Sequence, residues 1–349
     1  MKNLKRVEKR LRDKDYKTRD KDYKTKDSNK MESPLLDMNK PMHKSVMTKE
    51  VTDYLVTEST GIYVDATLGL GGHTQAILEH TGYKCRVIGL DVDEEAISIS
   101  ADLLSKYKSQ VVLRNSNFSQ IDSVLEDLDI ELVDGIVADL GMSSLQIESS
   151  DRGFSFMRDE VLDMRMDARL RFTAHDLVNE MSVDEISKVL KMYGEEKWAK
   201  RIAKHIVEAR NEKPIETSAE LAKLVSGAIP KKFHPARIHP ATKTFQALRI
   251  AVNNELDNIK EFLDKAVSLL KPGGKLVVIS FHSLEDRLVK SAFQRMSNPC
   301  VCPPAMPQCG CGKKSEIKIL TRSPLLPGQD EILDNPRARS AKLRAGERI

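Results

Sequence analysis

The run Val64-Asp65-Ala66-Thr67-Leu68-Gly69-Leu70-Gly71-Gly72-His73-Thr74 takes an apolar stretch into glycines and then into a helical pattern. Such a turn suits a bulky ligand. Glycine lets the backbone bend sharply and approach a ligand without a Cβ in the way, and the first turn of the following helix offers unpaired N–H groups. The spacing departs from the dinucleotide fingerprint, because Thr74 stands where a third glycine would follow Gly69 and Gly71. Alone, the turn is weak evidence, with a plain structural loop as the alternative. Asp91 lies 20 residues after Gly71, where nucleotide-binding α/β folds place a carboxylate against ribose hydroxyls. Its plainer reading is a cap for the helical segment from Asp93. Phe118 offers a face to a flat ring or simply joins the core. In Asp139-Leu140-Gly141-Met142-Ser143-Ser144-Leu145-Gln146 the Asp can accept a hydrogen bond from an amine, and Gln146 can donate and accept together.

These residues need elements that bring them to one edge. Ile62–Thr67 reads as a first strand and Thr74–Glu79 as the first helix after it. Arg86–Leu90 is a second strand, followed by a helix near Glu94–Lys106. Val111–Leu113 makes a third strand, Ile121–Leu128 a helix, and Val133–Ala138 a fourth strand. Short, nearly continuous apolar strands alternating with helices argue for a parallel sheet covered on both faces. The glycine turn, Asp91 and Asp139 all follow strands, so they share the C-terminal edge, where open α/β sheets bind ligands. From Gly141 to roughly Pro240 the pattern is helical, as in Val183–Tyr193, Lys197–Arg210 and Ser218–Ala228. Phe245–Leu270 then reads as one long helix stopped by Lys271-Pro272-Gly273-Gly274, with a fifth strand over Lys275–Phe281. A helical domain is therefore expected within an α/β domain, between its fourth and fifth strands.

Composition narrows the class. A chain of 349 residues with 40% hydrophobic content can bury a real core. No apolar run is long enough to span a bilayer, and the charged N-terminus is unlike a secretory signal. Five cysteines, four of them between Cys300 and Cys311, do not form a spread disulfide framework, so the expected compartment is the cytoplasm. The net charge is +4, but residues 1–40 hold 14 Lys/Arg against 8 Asp/Glu, leaving the rest near −2. A uniformly basic nucleic-acid surface is excluded, and any contact with RNA or DNA must come from local clusters. The first 40 residues repeat Arg-Asp-Lys-Asp-Tyr-Lys-Thr at 12–18 and 19–25 with few aliphatic residues. They are expected to be disordered, with a basic arm contacting phosphate as the functional alternative.

Longer motifs go further. His43-Lys44-Ser45-Val46-Met47, the glycine turn from Asp65 to His73, Asp139-Leu140-Gly141-Met142-Ser143-Ser144 and Arg152-Gly153-Phe154-Ser155-Phe156 are joined by Leu162-Asp163-Met164-Arg165-Met166-Asp167, Phe245-Gln246-Ala247-Leu248-Arg249-Ile250 and Ser280-Phe281-His282-Ser283-Leu284-Glu285-Asp286-Arg287. Together they closely resemble the bacterial ribosomal RNA small-subunit methyltransferase H family, from residue 43 to the C-terminus. The resemblance implies a Rossmann-like, S-adenosylmethionine-dependent methyltransferase with an inserted all-helical domain. It implies methylation of the exocyclic N4 amine of a cytidine in 16S rRNA, position 1402 in the usual rRNA numbering, with the rRNA or the small ribosomal subunit as partner. By the same resemblance the cofactor contacts fall on Gly71, Gly72, His73, Asp91, Phe118, Asp139 and Gln146. Met142 and Leu145 depart from the family's frequent Val and Pro and leave those polar positions intact.

The expected organisation is a disordered basic extension over 1–42, the methyltransferase domain over 43–141 and 241–330, a helical insert for RNA or substrate recognition over 142–240, and a basic C-terminal tail over 331–349. N4 of cytosine is a poor nucleophile because its lone pair is delocalised, so it must be held in line, kept from water and relieved of a proton. Asp139, or a carbonyl in the loop after it, is the candidate for orienting and polarising the amine. The base must also leave its stack to reach a pocket. Arg152, Arg158, Arg165, Arg169, Arg171, Lys231, Lys232, Arg237 and Lys243 are candidate phosphate contacts, with Asn335–Arg344 of the tail as a second group; a solvated helix face is the plain alternative. His282 either touches substrate or packs after the fifth strand.

Cys300-Val301-Cys302 and Cys309-Gly310-Cys311 could supply four thiolates to one zinc, against a reduced, Pro-rich surface loop; no metal is expected for methyl transfer to an amine. A homodimer is left open. Two other functions compete: a nicotinamide-dependent oxidoreductase, disfavoured by the missing glycine, and a non-enzymatic RNA-binding assembly factor.

Overall fold

A computed structural model describes residues 45–148, 151–236, 238–303 and 310–349. The basic extension over 1–42, Arg237 and Cys309 lie outside the described residues. The order of elements begins with helix α1 (Thr48–Leu55), strand β1 (Ile62–Asp65), α2 (Gly72–His80), β2 (Arg86–Asp91), α3 (Glu94–Leu103), β3 (Val111–Asn115), α4 (Ile121–Glu126) and β4 (Val133–Asp139). Helices α5 (Ser144–Glu148), α6 (Ala174–Glu180), α7 (Val183–Gly194), α8 (Ala199–Arg210) and α9 (Ser218–Ala228) follow. The chain ends through α10 (Thr242–Asn253), α11 (Glu255–Ala266), β5 (Leu270–Ser280), α12 (Ser283–Ser297), β6 (Ile317–Ile319), α13 (Gln329–Asp334) and β7 (Lys342–Arg348).

The seven strands form one sheet in the order β3-β2-β1-β4-β5-β7-β6. The first five are parallel, with Val64 beside both Ile88 and Ile136, and β7 runs antiparallel between β5 and β6. Central strands such as β4 are buried along almost their whole length, which explains their unbroken apolar sequence: both faces are covered. One face packs Ile121, Leu125, Ile259, Phe262 and Phe293 against the sheet, and the other packs Val51, Leu55, Ile77 and Leu78. The strand order reverses between β1 and β4, and that switch point opens a crevice at the strands' C-terminal ends.

The helices between β4 and β5 build a separate core. Leu177, Ile186, Leu190, Ile202, Ile206, Leu221 and Val225 converge there, joined by Phe245, Leu248 and Val252 of α10. Their starts are set by sequence: Thr173 with Asp176, Ser182 with Glu185, and Thr217 with Glu220 each form a reciprocal capping box.

Three expectations are corrected. The helix expected over Phe245–Leu270 is two helices, α10 and α11, because Asn254 adopts a left-handed conformation at φ 51° and breaks the chain between them. Asn tolerates that conformation better than most residues, so a helical hydrophobic pattern continues through a break it does not reveal. The segment 331–349, expected as a basic tail, is folded instead. Residues 342–348 are an internal strand in which Leu343 and Ala345 are buried, and Arg344 is buried against Asp286 at 2.7 Å rather than displayed to RNA. The β5 strand also starts earlier than expected, at Leu270, with an irregularity between Val133 and Gly135 absorbing the Lys271–Gly274 stretch. Among the described residues, no helix is long and apolar enough to cross a membrane.

Candidate active site

The turn after β1 is built by left-handed glycines. Gly69 has φ 51° and Gly71 has φ 81°. A Cβ on Gly71 would also lie 2.9 Å from Leu104, and one on Gly72 would lie 2.0 Å from the Ser45 hydroxyl. Asp91 at the end of β2 locks this turn: its carboxylate accepts from the Gly69 N–H at 2.8 Å and from the Asp93 N–H at 2.9 Å. Ser100 on α3 donates to the Gly69 carbonyl at 2.7 Å. Removal from water pushes the Asp91 carboxyl up to about 6, and the two N–H groups only partly offset this.

A second cluster lies behind the turn. Asp65, fully buried, accepts from the Thr74 hydroxyl at 2.8 Å, and burial raises its pKa. Next to it, Nε2 of buried His73 lies 3.4 Å from Asp139 Oδ2. Burial opposes a charge on His73, but the hydrogen bond to Asp139 and the charges of Asp139 and Asp65 outweigh it, and the pKa is raised. The Asp139 backbone is fixed by its N–H donating to the Thr67 hydroxyl at 2.6 Å. One atom of each partner remains unused: among the described residues, His73 Nδ1 and Asp139 Oδ1 are buried without a hydrogen-bond partner. Unpaired buried polar atoms are costly and are common where a ligand completes them.

These groups face one cavity of about 500 Å³, within the range of small-molecule sites. Gly72, His73, Asp91, Phe118, Asp139 and Gln146 line it, together with Gly69, Gly141 and Asn117. Gly71 does not; it shapes the turn through its positive φ, with the Leu104 side chain in the space a Cβ would need. Phe118 lines the cavity while packing edge-on against Phe262, with ring centroids 5.4 Å apart. Gln146 is buried and spends its amide on the protein, donating to Asp93 at 3.3 Å and accepting from the Ser143 N–H at 3.1 Å. Asp93, which also caps α3, holds Arg152 at 2.5 Å, so the loop after β2 is tied to both Gln146 and Arg152.

The far wall went unnoticed in the sequence. Arg249 and Glu255 form a buried two-pronged ion pair, both contacts 2.8 Å, across the α10–α11 break. Asn253 donates to the Met164 carbonyl at 2.8 Å and accepts from the Met166 N–H at 2.7 Å, pinning the Leu162–Asp167 motif to the cavity rim. The adjacent amides Asn253-Asn254 at a helix end were the available signal. His282 lines the cavity, but it is first a helix cap: its Nδ1 accepts from the Glu285 N–H at 3.3 Å and its Nε2 lies 3.1 Å from Glu285. Burial raises the Glu285 pKa, but His282 and Arg249 lower it further, so the net shift is downward.

The candidate phosphate contacts divide. Arg152 reaches the carbonyls of Arg165 and Met166, and Arg165 pairs with Asp163 at 2.7 Å, so both hold the insert together. Arg158 pairs with Glu160 at 2.8 Å. Arg171, Lys231 and Lys232 are exposed, and Lys232 lies 5.0 Å over the ring of Phe233, itself 52% exposed beside Trp198.

A profile of the MraW methylase family matches residues 40–349. The ribosomal RNA small subunit methyltransferase H of Clostridioides difficile is 49% identical over 307 residues, covering 88% of this chain and 99% of that protein. The proteins of the same name from Halothermothrix orenii and Geobacter sulfurreducens are each 47% identical over 307 residues, covering 88% of this chain and 98% and 99% of their own lengths. With its parallel sheet, its glycine turn and this extent of similarity, the chain belongs to the MraW methylase family.

Proposed function

We propose that this protein uses S-adenosylmethionine to methylate the N4 amine of a cytidine in 16S rRNA of the small ribosomal subunit, in the cytoplasm. The family membership and the full-length similarity to ribosomal RNA small subunit methyltransferases H support the reaction class. The observation that carries the site is the unpartnered Asp139 Oδ1 on the cavity wall beside the glycine turn. The residues fit the cofactor: a glycine turn without side chains, a carboxylate at Asp91 for ribose hydroxyls, and Phe118 for the adenine. When bound, S-adenosylmethionine supplies an electrophilic methyl group on a sulfonium.

The chain's own part is positioning. Asp139 accepts one N–H of the amine at Oδ1 while His73 holds Oδ2, which orients N4 and increases its electron density. Gln146, which lines the cavity, supports the loop after Asp139 by accepting from the Ser143 N–H. The insert, tied to the cavity by Arg152 and Asn253, grips the RNA around an unstacked base, with Lys231, Lys232 and Arg171 against phosphate.

The test is transfer of a tritiated methyl to small subunits that lack the modification. Label is expected on N4 of one cytidine. At saturating cofactor, Asp139→Ala is expected to slow transfer by about 10²–10⁴. Transfer at the wild-type rate would remove the role given to Asp139. Tight cofactor binding with no label in rRNA would favour the assembly-factor reading.

A further inference from the structure

Three cysteines converge on the segments flanking the loop between α12 and β6, and none of them lines the cavity just described. Cys300 and Cys302 follow the end of α12, and Cys311 lies on the return to β6. Their sulfurs all fall within 4.8 Å of one another, and Cys311 Sγ lies 3.9 Å from Cys300 Sγ. That distance is about twice a disulfide bond. It is instead close to the ~3.8 Å separating two sulfurs that each sit about 2.3 Å from a tetrahedral zinc.

The described surroundings are open to solvent. Among the described residues of 298–303 and 310–316, none is buried. Val301 is 68% exposed, and the base of the loop is closed by the Glu316 N–H donating to the Met296 carbonyl at 2.9 Å. Exposed chain of this kind, as the described residues are, can be held in place by a metal rather than by apolar packing. We propose that Cys300, Cys302 and Cys311 are ligands of a structural zinc ion that staples this loop to the end of α12. The thiols lose their protons on binding, and the ion undergoes no redox change. Three sulfurs leave one tetrahedral position, and Cys309, two residues before Cys311, lies outside the described residues.

The test needs no methyl transfer, so it stands apart from the reaction proposed above. The full chain, purified under reducing conditions, is expected to hold about one zinc by elemental analysis. Cobalt(II) in its place is expected to give thiolate charge-transfer absorption and strong tetrahedral bands. The double variant Cys300→Ser/Cys311→Ser, with circular dichroism confirming its fold, is expected to lose both signals. A Cys309→Ser arm reads the fourth position: a weakened cobalt spectrum assigns it to that thiolate, and an unchanged one assigns it to water, with the three-cysteine site supported either way. Four results would overturn the proposal: zinc-free protein that takes up no cobalt through sulfur, iron–sulfur absorption, a Cys300–Cys311 disulfide surviving reduction, or undiminished zinc in the double variant, which marks an adventitious ion only.

Discussion

Asp91 shows how a candidate binding residue stores unfavourable energy. Its carboxyl titrates near 6 in the folded chain against an ordinary 3.8 because it has been taken from water, although two N–H groups point at it. Between those two values the folded protein binds a proton that the unfolded chain does not, so stability from this group grows as pH falls from about 6 towards 4 and is lost as pH rises. A shift of about two units corresponds to roughly 3 kcal/mol. Cofactor-free wild-type protein is therefore expected to gain about that much stability relative to Asp91→Asn between pH 7 and pH 4, read from urea midpoints. The same substitution is expected to weaken S-adenosylmethionine binding about tenfold, since a hydrogen bond to a charged acceptor contributes about 1.5–3 kcal/mol. Calorimetric titration at pH 7 checks this, and unchanged affinity would release Asp91 from the ribose role.

At the scale of elements, the break between α10 and α11 does what a continuous helix could not. It turns Arg249 and Glu255 toward each other at 2.8 Å and brings the Asn253 amide to the Leu162–Asp167 motif. Burial works against the Arg249 charge, but Glu255 more than compensates and the guanidinium pKa is raised. Arg249→Met leaves Glu255 buried and unpaired, which is expected to cost about 3–5 kcal/mol. Arg249→Met/Glu255→Leu is expected to recover most of that stability, because two apolar groups replace a pair whose attraction is largely spent on desolvation. Denaturation midpoints of the single and double variants decide this, and equal losses would show that the pair has no such coupling.

On the scale of the whole molecule, the C-terminus completes the sheet. Strand β7 pairs with β5 from Lys275–Glu347 to Ser280–Lys342 and carries β6 on its other edge. Asp286, at the start of α12, is held below the ordinary carboxylate range; burial opposes this, and the hydrogen bond and charge of Arg344, with Lys342, outweigh it. Removing residues 342–349 would expose the apolar edge of β5 and leave β6 without a neighbour. The truncated chain is expected to lose cooperative unfolding, monitored by circular dichroism. A dispensable RNA-binding arm would instead leave the melting curve unchanged and reduce only RNA affinity.

The sequence alone determined the α/β rhythm, the glycine turn, Asp91 and the Asp139 loop, because each is local: an apolar run, a residue type and a spacing. Three capping boxes in the insert are equally local, each a contact between residues three apart. Contacts between distant segments were decided only in the folded chain. Only the adjacent amides Asn253-Asn254 hint that Glu255 lies across a break from Arg249, because hydrophobic periodicity runs through Asn254 unaltered. The charges of the last twenty residues suggested a solvated arm, and burial of Leu343, Ala345 and even Arg344 in the sheet reversed that reading. Gln146 lines the cavity, and its amide also bonds Asp93 and Ser143, which lie far and near in sequence. Residue type shows what a side chain can bond to; which partner reaches it first is a property of the tertiary fold.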